Sequence, residues 1–191
     1  MFIFFRILPV LVLCFFYFLV SNASAEKISG TYGDAMRWYE KAAKTGHTRA
    51  QFLLAYMHET GKGRPYNYQL AVKWYTRAAE KNHARAQFRL GMLYSKNTSN
   101  TADLKKAAIL YEKASENGIA QASFNLGVFY ERGLGVKIDL SKAKELYFSA
   151  SKKGFAAAQF NLGLLLAASS KEDQHALVRA WVWLSRAKIQ N

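Results

Sequence analysis

"ASFNLGVFYERGLGVKIDLSKAKELYFSASKKG", residues Ala122 to Gly154, decides the fold because both of its halves recur along the chain. The first half returns as "AQFLLAYM" from Ala50, "AQFRLGMLY" from Ala86 and "AQFNLGLLL" from Ala158, each 36 residues after the last. The second half keeps the same step: "AMRWYEKAAKTG" from Ala35, "AVKWYTRAAEKN" from Ala71, "AAILYEKASENG" from Ala107 and "AKELYFSASKKG" from Ala143. A final copy, "AWVWLSRAK", begins at Ala180, one residue late. A fixed step of this length is the signature of stacked structural repeats.

Both halves read as amphipathic helices. Ala86, Leu90 and Leu93 fall at i, i+4 and i+7. Ala71, Trp74, Tyr75 and Ala78 fall at i, i+3, i+4 and i+7, the spacing of one helical face. Small residues recur at Ala55, Gly91, Gly127 and Gly163 on the first helix and at Ala78, Ala114 and Ala150 on the second, letting neighbours approach. Residues 46, 82, 118 and 154 are Gly, Asn, Gly and Gly, which accept the left-handed conformation that ends a helix. Asn67, Asp103 and Asp139 stand just before the second helices and are expected as their N-caps. A lone helix pair cannot bury such a stripe, so the pairs must stack.

Between the helices lie turns of equal length, 61–68, 97–104 and 133–140. The first opens with Gly61-Lys62-Gly63-Arg64, which at first sight suggests a phosphate cradle. It has neither the earlier glycine nor the Lys-Ser/Thr pair of a phosphate loop. Its equivalents are Asn97-Thr98-Ser99 and Gly133-Leu134-Gly135, so the slot is a corner rather than a site. In the middle corner Asn97 is expected to take over the glycine conformation, with Asn100 in place of Val136.

The residues Ala122, Leu126-Gly127, Tyr130, Gly133, Gly135-Val136, Asp139, Lys142-Ala143, Leu146-Tyr147, Ala150 and Gly154 resemble the pattern of the Sel-1-like repeat. That family is a branch of the tetratricopeptide-like helical repeats. The resemblance covers about Asp34 to Lys188 and implies an all-α fold: a right-handed superhelical α/α solenoid of antiparallel helix pairs, with about nine helices. The units read as a half repeat at 34–49, full repeats at 50–85, 86–121 and 122–157, and a degenerate repeat at 158–191. The family's cysteine-rich branch carries paired cysteines, which this chain lacks, so that branch's ligand binding is not implied here.

Residues 1–25 stand apart. Arg6 is their only charge, Ile7 to Val20 is a 14-residue apolar run, and Ala23 and Ala25 fit a small-x-small cleavage site. The run is short for a spanning helix, which needs about 20 apolar residues. A cleaved secretory signal is expected, leaving 26–191 as one repeat domain with no stable membrane span. The alternatives are an uncleaved anchor and acylation at Cys14, the chain's only cysteine. After cleavage no disulfide can form, so packing alone must hold the fold. The remainder carries 26 basic and 13 acidic residues, a net +13, which favours anionic partners. Export to the periplasm or beyond disfavours nucleic acid among them.

No catalytic constellation emerges, and the chain reads as no enzyme. The four histidines have no metal spacing, and no serine joins a triad. His47 and His83 share a slot with Ile119 and Phe155, and His58 shares one with Tyr94, Tyr130 and Leu166, so all three read as packing residues. No cofactor or metal is implied. By resemblance, the first helices line a concave groove. Its positions would be Phe52, Tyr56 and Glu59, then Phe88, Met92 and Ser95, then Phe124, Val128 and Glu131, then Phe160 and Leu164. These groups fall on one helical face and suit a bound peptide or helix, while the recurring Phe also suits packing between units. Arg49 and Arg85 give way to Gln121 and Ala157, which makes one end of the groove basic. The function this implies is an exported protein-interaction scaffold meeting protein partners in the bacterial envelope or in a host. The alternative is a binder of anionic envelope lipid or polysaccharide.

Overall fold

The 36-residue step of the sequence becomes a step between helices. The computed structural model describes residues 36–168 and 174–189. It begins with α1 (36–44) and continues with α2 (Thr48–Thr60), α3 (Tyr68–Glu80), α4 (Ala84–Ser95) and α5 (Thr101–Glu116). Then come α6 (Ala120–Arg132), α7 (Leu140–Lys152), α8 (Ala156–Ala168) and α9 (Gln174–Ile189). The helices α2, α4, α6 and α8 start 36 residues apart, each packs on its successor, and each pair leans on the next. The chain is an all-α repeat stack, as the periodicity requires. The expected signal at 1–25, with Cys14, lies outside the described residues.

One contact recurs through the core. Tyr75, Tyr111 and Tyr147 are almost fully enclosed. The ring of Tyr111 lies so close to Gly91 that a methyl group there would stand 2.9 Å from it, and at Gly127 the distance to Tyr147 would be 2.7 Å. Leu184 fills the same notch over Gly163, and the first pair has Ala55 in the slot. The small residues therefore make room for a ring as much as for a backbone. Each ring is backed by a phenylalanine of its own pair: Phe52 on Tyr75 at 5.7 Å, Phe88 on Tyr111 at 6.1 Å and Phe124 on Tyr147 at 5.6 Å between centroids. The far side of that phenylalanine meets the residue that opens the next first helix. His83 stacks on Phe52 at 4.8 Å and Phe155 on Phe124 at 5.2 Å. The slot shared by His47, His83, Ile119 and Phe155 thus begins a helix, and at His83 and Phe155 its side chain joins one pair to the next; His47, expected as a packing residue, is exposed and bonds locally, 3.0 Å from the Thr45 hydroxyl.

The caps follow the sequence with one exception. Asn67 and Asp139 accept from the amides of Leu70 and Lys142, both at 2.9 Å, each such bond contributing about 1 kcal/mol over alanine. Asp103 is not an N-cap. Helix α5 starts one turn earlier than its relatives, at Thr101, and Asn100 caps it. The Asn100 side chain accepts from the amide of Asp103 at 3.2 Å and donates to its carboxylate at 2.7 Å. The physical reason is the missing glycines. Gly61, Gly63, Gly133 and Gly135 have φ near +70°, whereas Asn97 adopts no left-handed conformation, contrary to expectation. Without that bend the chain passes from Lys96 in a right-handed conformation and re-enters a helix sooner.

The left-handed residues expected at 46, 82, 118 and 154 are all present, with Asn82 at φ 60°. They also anchor a strap between neighbours. Lys81 donates to the carbonyl of Gly46 and Lys153 to that of Gly118, while Asn117 donates to the Asn82 side chain at 2.9 Å. The lysines thus satisfy carbonyls at the end of the preceding second helix.

The corner glycines differ in what they tolerate, and this is testable. A methyl group on Gly135, at φ +69°, would stand 2.6 Å from the Leu104 backbone, whereas at Gly154, φ +80°, it would meet nothing within 4 Å. Gly154→Ala is expected to lose about 1 kcal/mol, the cost of left-handed backbone alone. Gly135→Ala is expected to lose about 2 kcal/mol or more, because the clash adds to that cost. Urea denaturation measures both; equal losses would contradict a tight corner at Gly135.

Candidate functional site

The first helices build a hollow of about 520 Å³ across three successive pairs. Its walls are Phe52, Leu53 and Tyr56 from α2, Arg85, Phe88 and Arg89 from α4, and Ile119 and Gln121 at the start of α6. The spacing of Phe52, Leu53 and Tyr56 puts them on one side of α2, and the 36-residue step sets Phe88 and Arg89 alongside them. Arg89 fixes the floor: its guanidinium lies 5.3 Å from the Tyr56 ring centre and 3.4 Å from the Glu59 carboxylate. A second hollow, of about 510 Å³, lies between α1 and α2 and is lined by Trp38, Tyr39, Lys41, Ala42, Thr45, His47, Arg49, Ala50 and Leu53. Leu53 lines both. The lysine and arginine residues around the two hollows are Lys41, Arg49, Arg85 and Arg89; none of the lining residues is acidic.

The groove positions read from the sequence separate into three groups. Tyr56 and Phe88 line the hollow, together with Phe52. Met92, Phe124 and Val128 are half-buried against the core clusters of their own neighbourhoods. Glu59, Ser95 and Glu131 serve the buried rings: the Tyr75 hydroxyl donates to Glu59 at 2.6 Å, that of Tyr147 donates to Glu131, and Ser95 lies 3.0 Å from the Tyr111 hydroxyl. Burial pushes all three phenols above their ordinary range, and the carboxylates of Glu59 and Glu131 push Tyr75 and Tyr147 further. These phenols stay protonated at neutral pH and act as hydrogen-bond donors, not as bases. Phe160 and Leu164 are exposed, Phe160 bordering an apolar hollow with Leu184 and Ala187. Sequence reading missed Leu53 and Arg89, which occupy one repeat slot. The change from leucine to arginine there, beside Asn125 and Asn161, was the available signal.

On another side of α2, Arg64 of the first corner is no surface ornament. Its guanidinium pairs with Glu40 of α1 and lies 3.3 Å from Nε2 of His58, which is buried. Burial, then the nearby Arg64 charge, lowers the His58 pKa, with Glu40 partly opposing. A neutral His58 accepts from Arg64; a protonated one cannot. The same task is done in the third pair by Lys142, 4.6 Å from the Tyr130 ring centre and 3.6 Å from Glu112.

The family model for the Sel1 repeat matches residues 32–47, 48–83, 84–119, 120–155 and 156–191. The chain belongs to the Sel1 repeat family. No curated protein matches it. Among solved structures, the Sel1 repeat protein from Oxalobacter formigenes is 35 % identical with a TM-score of 0.72, covering 82 % of this chain and 64 % of that one. A similar likeness, 35 % identity and a TM-score of 0.72, relates the chain to c5321, a protective antigen present in uropathogenic Escherichia coli strains that displays the same repeat fold. That match covers 81 % of this chain and 33 % of c5321, so this Sel1 chain spans less than two thirds of either relative. A Sel1 repeat protein from Klebsiella pneumoniae is 25 % identical, with a TM-score of 0.55 over 81 % of this chain and 73 % of that one.

In this Sel1 repeat chain His58 stands where other units have Tyr94 and Tyr130, which suggests a direct test. A histidine whose folded pKa is depressed leaves stability intact above its unfolded value of about 6.5 and weakens the fold as pH falls through the folded value. Stability measured by urea denaturation is therefore expected to drop between pH 7.5 and pH 5, and His58→Tyr to flatten that drop. His83, also lowered by burial, remains in both proteins, so their difference isolates His58. Identical pH profiles would overturn this account.

Proposed function

We propose that this Sel1 repeat chain is an exported, non-catalytic scaffold that holds a protein partner in the groove over α2 and α4. The observation that carries the reading is the hollow walled by Phe52, Tyr56 and Phe88, which runs across three successive pairs. An aromatic floor wide enough to span pairs suits a peptide segment or helix better than a small metabolite. One further fact agrees: Sel1 repeats are scaffold units. The small-x-small site after the apolar run supports export, which places partners in the bacterial envelope or on a host.

The net charge of +13 after signal removal supports a second reading, attachment to anionic lipid or polysaccharide through the outer surface. One experiment separates the two. A photocrosslinking residue at position 56, in cells that are then fractionated, is expected to trap a protein in the envelope or medium. Tyr56→Ala is expected to weaken that partner at least tenfold while unfolding free energy falls by less than about 2 kcal/mol, since the side chain is only half-buried. Binding to anionic vesicles that fades at physiological salt and ignores Tyr56→Ala would favour the second reading.

A further inference from the structure

We propose that the segment held in this groove is acidic: a peptide whose carboxylates pair with Arg49 and Arg85 while an apolar side chain sits against Phe52, Tyr56 and Phe88. The inference rests on the groove reading above and adds the chemistry of the occupant. Four cations line the two neighbouring hollows and no acid does. One of them is already engaged, because Arg89 is held by Glu59 and the Tyr56 ring. Arg49 and Arg85 are exposed, and neither has an acidic partner among the described residues. Uncompensated guanidiniums beside an aromatic floor are suited to carboxylates, which they bind with paired hydrogen bonds.

The placement of the two arginines is regular. Each stands two residues after the residue that opens its helix, so one is offered by α2 and one by α4. His83, which covers Phe52, is near enough to both for their charges to add to the burial that lowers its pKa. The next two slots hold Gln121 and Ala157, so the run of arginines in this slot stops after the first two pairs. Anionic headgroups meet exposed arginines alone, whereas a chain segment meets them and also fills the hollow walled by Phe52, Tyr56 and Phe88.

The test is a selection from a random library of displayed peptides, a dozen residues long, on the full mature chain. Winners are expected to carry at least two Asp or Glu residues beside an aromatic or branched aliphatic one. Their affinity, read by fluorescence anisotropy, is expected to fall at least tenfold in Arg49→Gln with Arg85→Gln. It is expected to change little in Lys62→Gln with Lys137→Gln, which removes the same charge from corners that line neither hollow. Equal losses in the two double variants would overturn the assignment to Arg49 and Arg85 and leave a general charge effect. Neutral or basic winners that still need Tyr56 would overturn acidity while sparing the groove. Winners indifferent to Tyr56→Ala, or no winners beside saturable binding to anionic vesicles, would overturn the groove itself.

Discussion

The seating of one tyrosine ring in one notch is the contact on which the stack depends. Tyr111 over Gly91 and Tyr147 over Gly127 leave no room for a methyl group, and each ring is almost wholly enclosed. Burying a ring removes a large apolar area from water, but it also strands a hydroxyl. Glu59, Ser95 and Glu131 answer that need one pair at a time. Ring, notch and oxygen partner together set how close the two helices of a pair lie.

The groove is a by-product of the same arrangement. Each ring needs a phenylalanine behind it, and each phenylalanine needs cover from the next pair. That chain of aromatic contacts ties the walls of the hollow to the buried rings, so a segment held there as proposed would meet a preformed surface and carry most of the ordering cost itself. Variation is left to the positions around the floor, where Leu53 and Arg89 exchange without disturbing the rings behind them.

Most of the fold was legible because a repeat writes each instruction several times. The helix pairs, the left-handed residues at 46, 82, 118 and 154 and the caps at Asn67 and Asp139 all follow from local chemistry read in register. Asp103 misled for the same reason: its register matches a cap, yet a cap also depends on the corner before it, and that corner has no glycine. Glu59 and Glu131 were legible as variable polar residues on a groove face. Their bond to a tyrosine 16 residues onward needs the packed pair to be seen. The placing of Leu53 on the walls of two hollows was beyond sequence reading too, because it depends on how α1 leans on α2.

The notch and its filler are 20 residues apart in the pairs of Gly91 and Gly127, and 21 apart in the pair of Gly163, yet Leu184 still arrives in place. The middle corner, with its helix begun a turn early, also delivers its tyrosine on time. The altered backbone path of the middle corner is taken up before α5 brings Tyr111 to Gly91. Such a protein behaves as a rack with interchangeable end-fittings. A foreign epitope would disturb the shelves least at the glycine-free corner after Lys96, and most at Gly135, which is packed against Leu104.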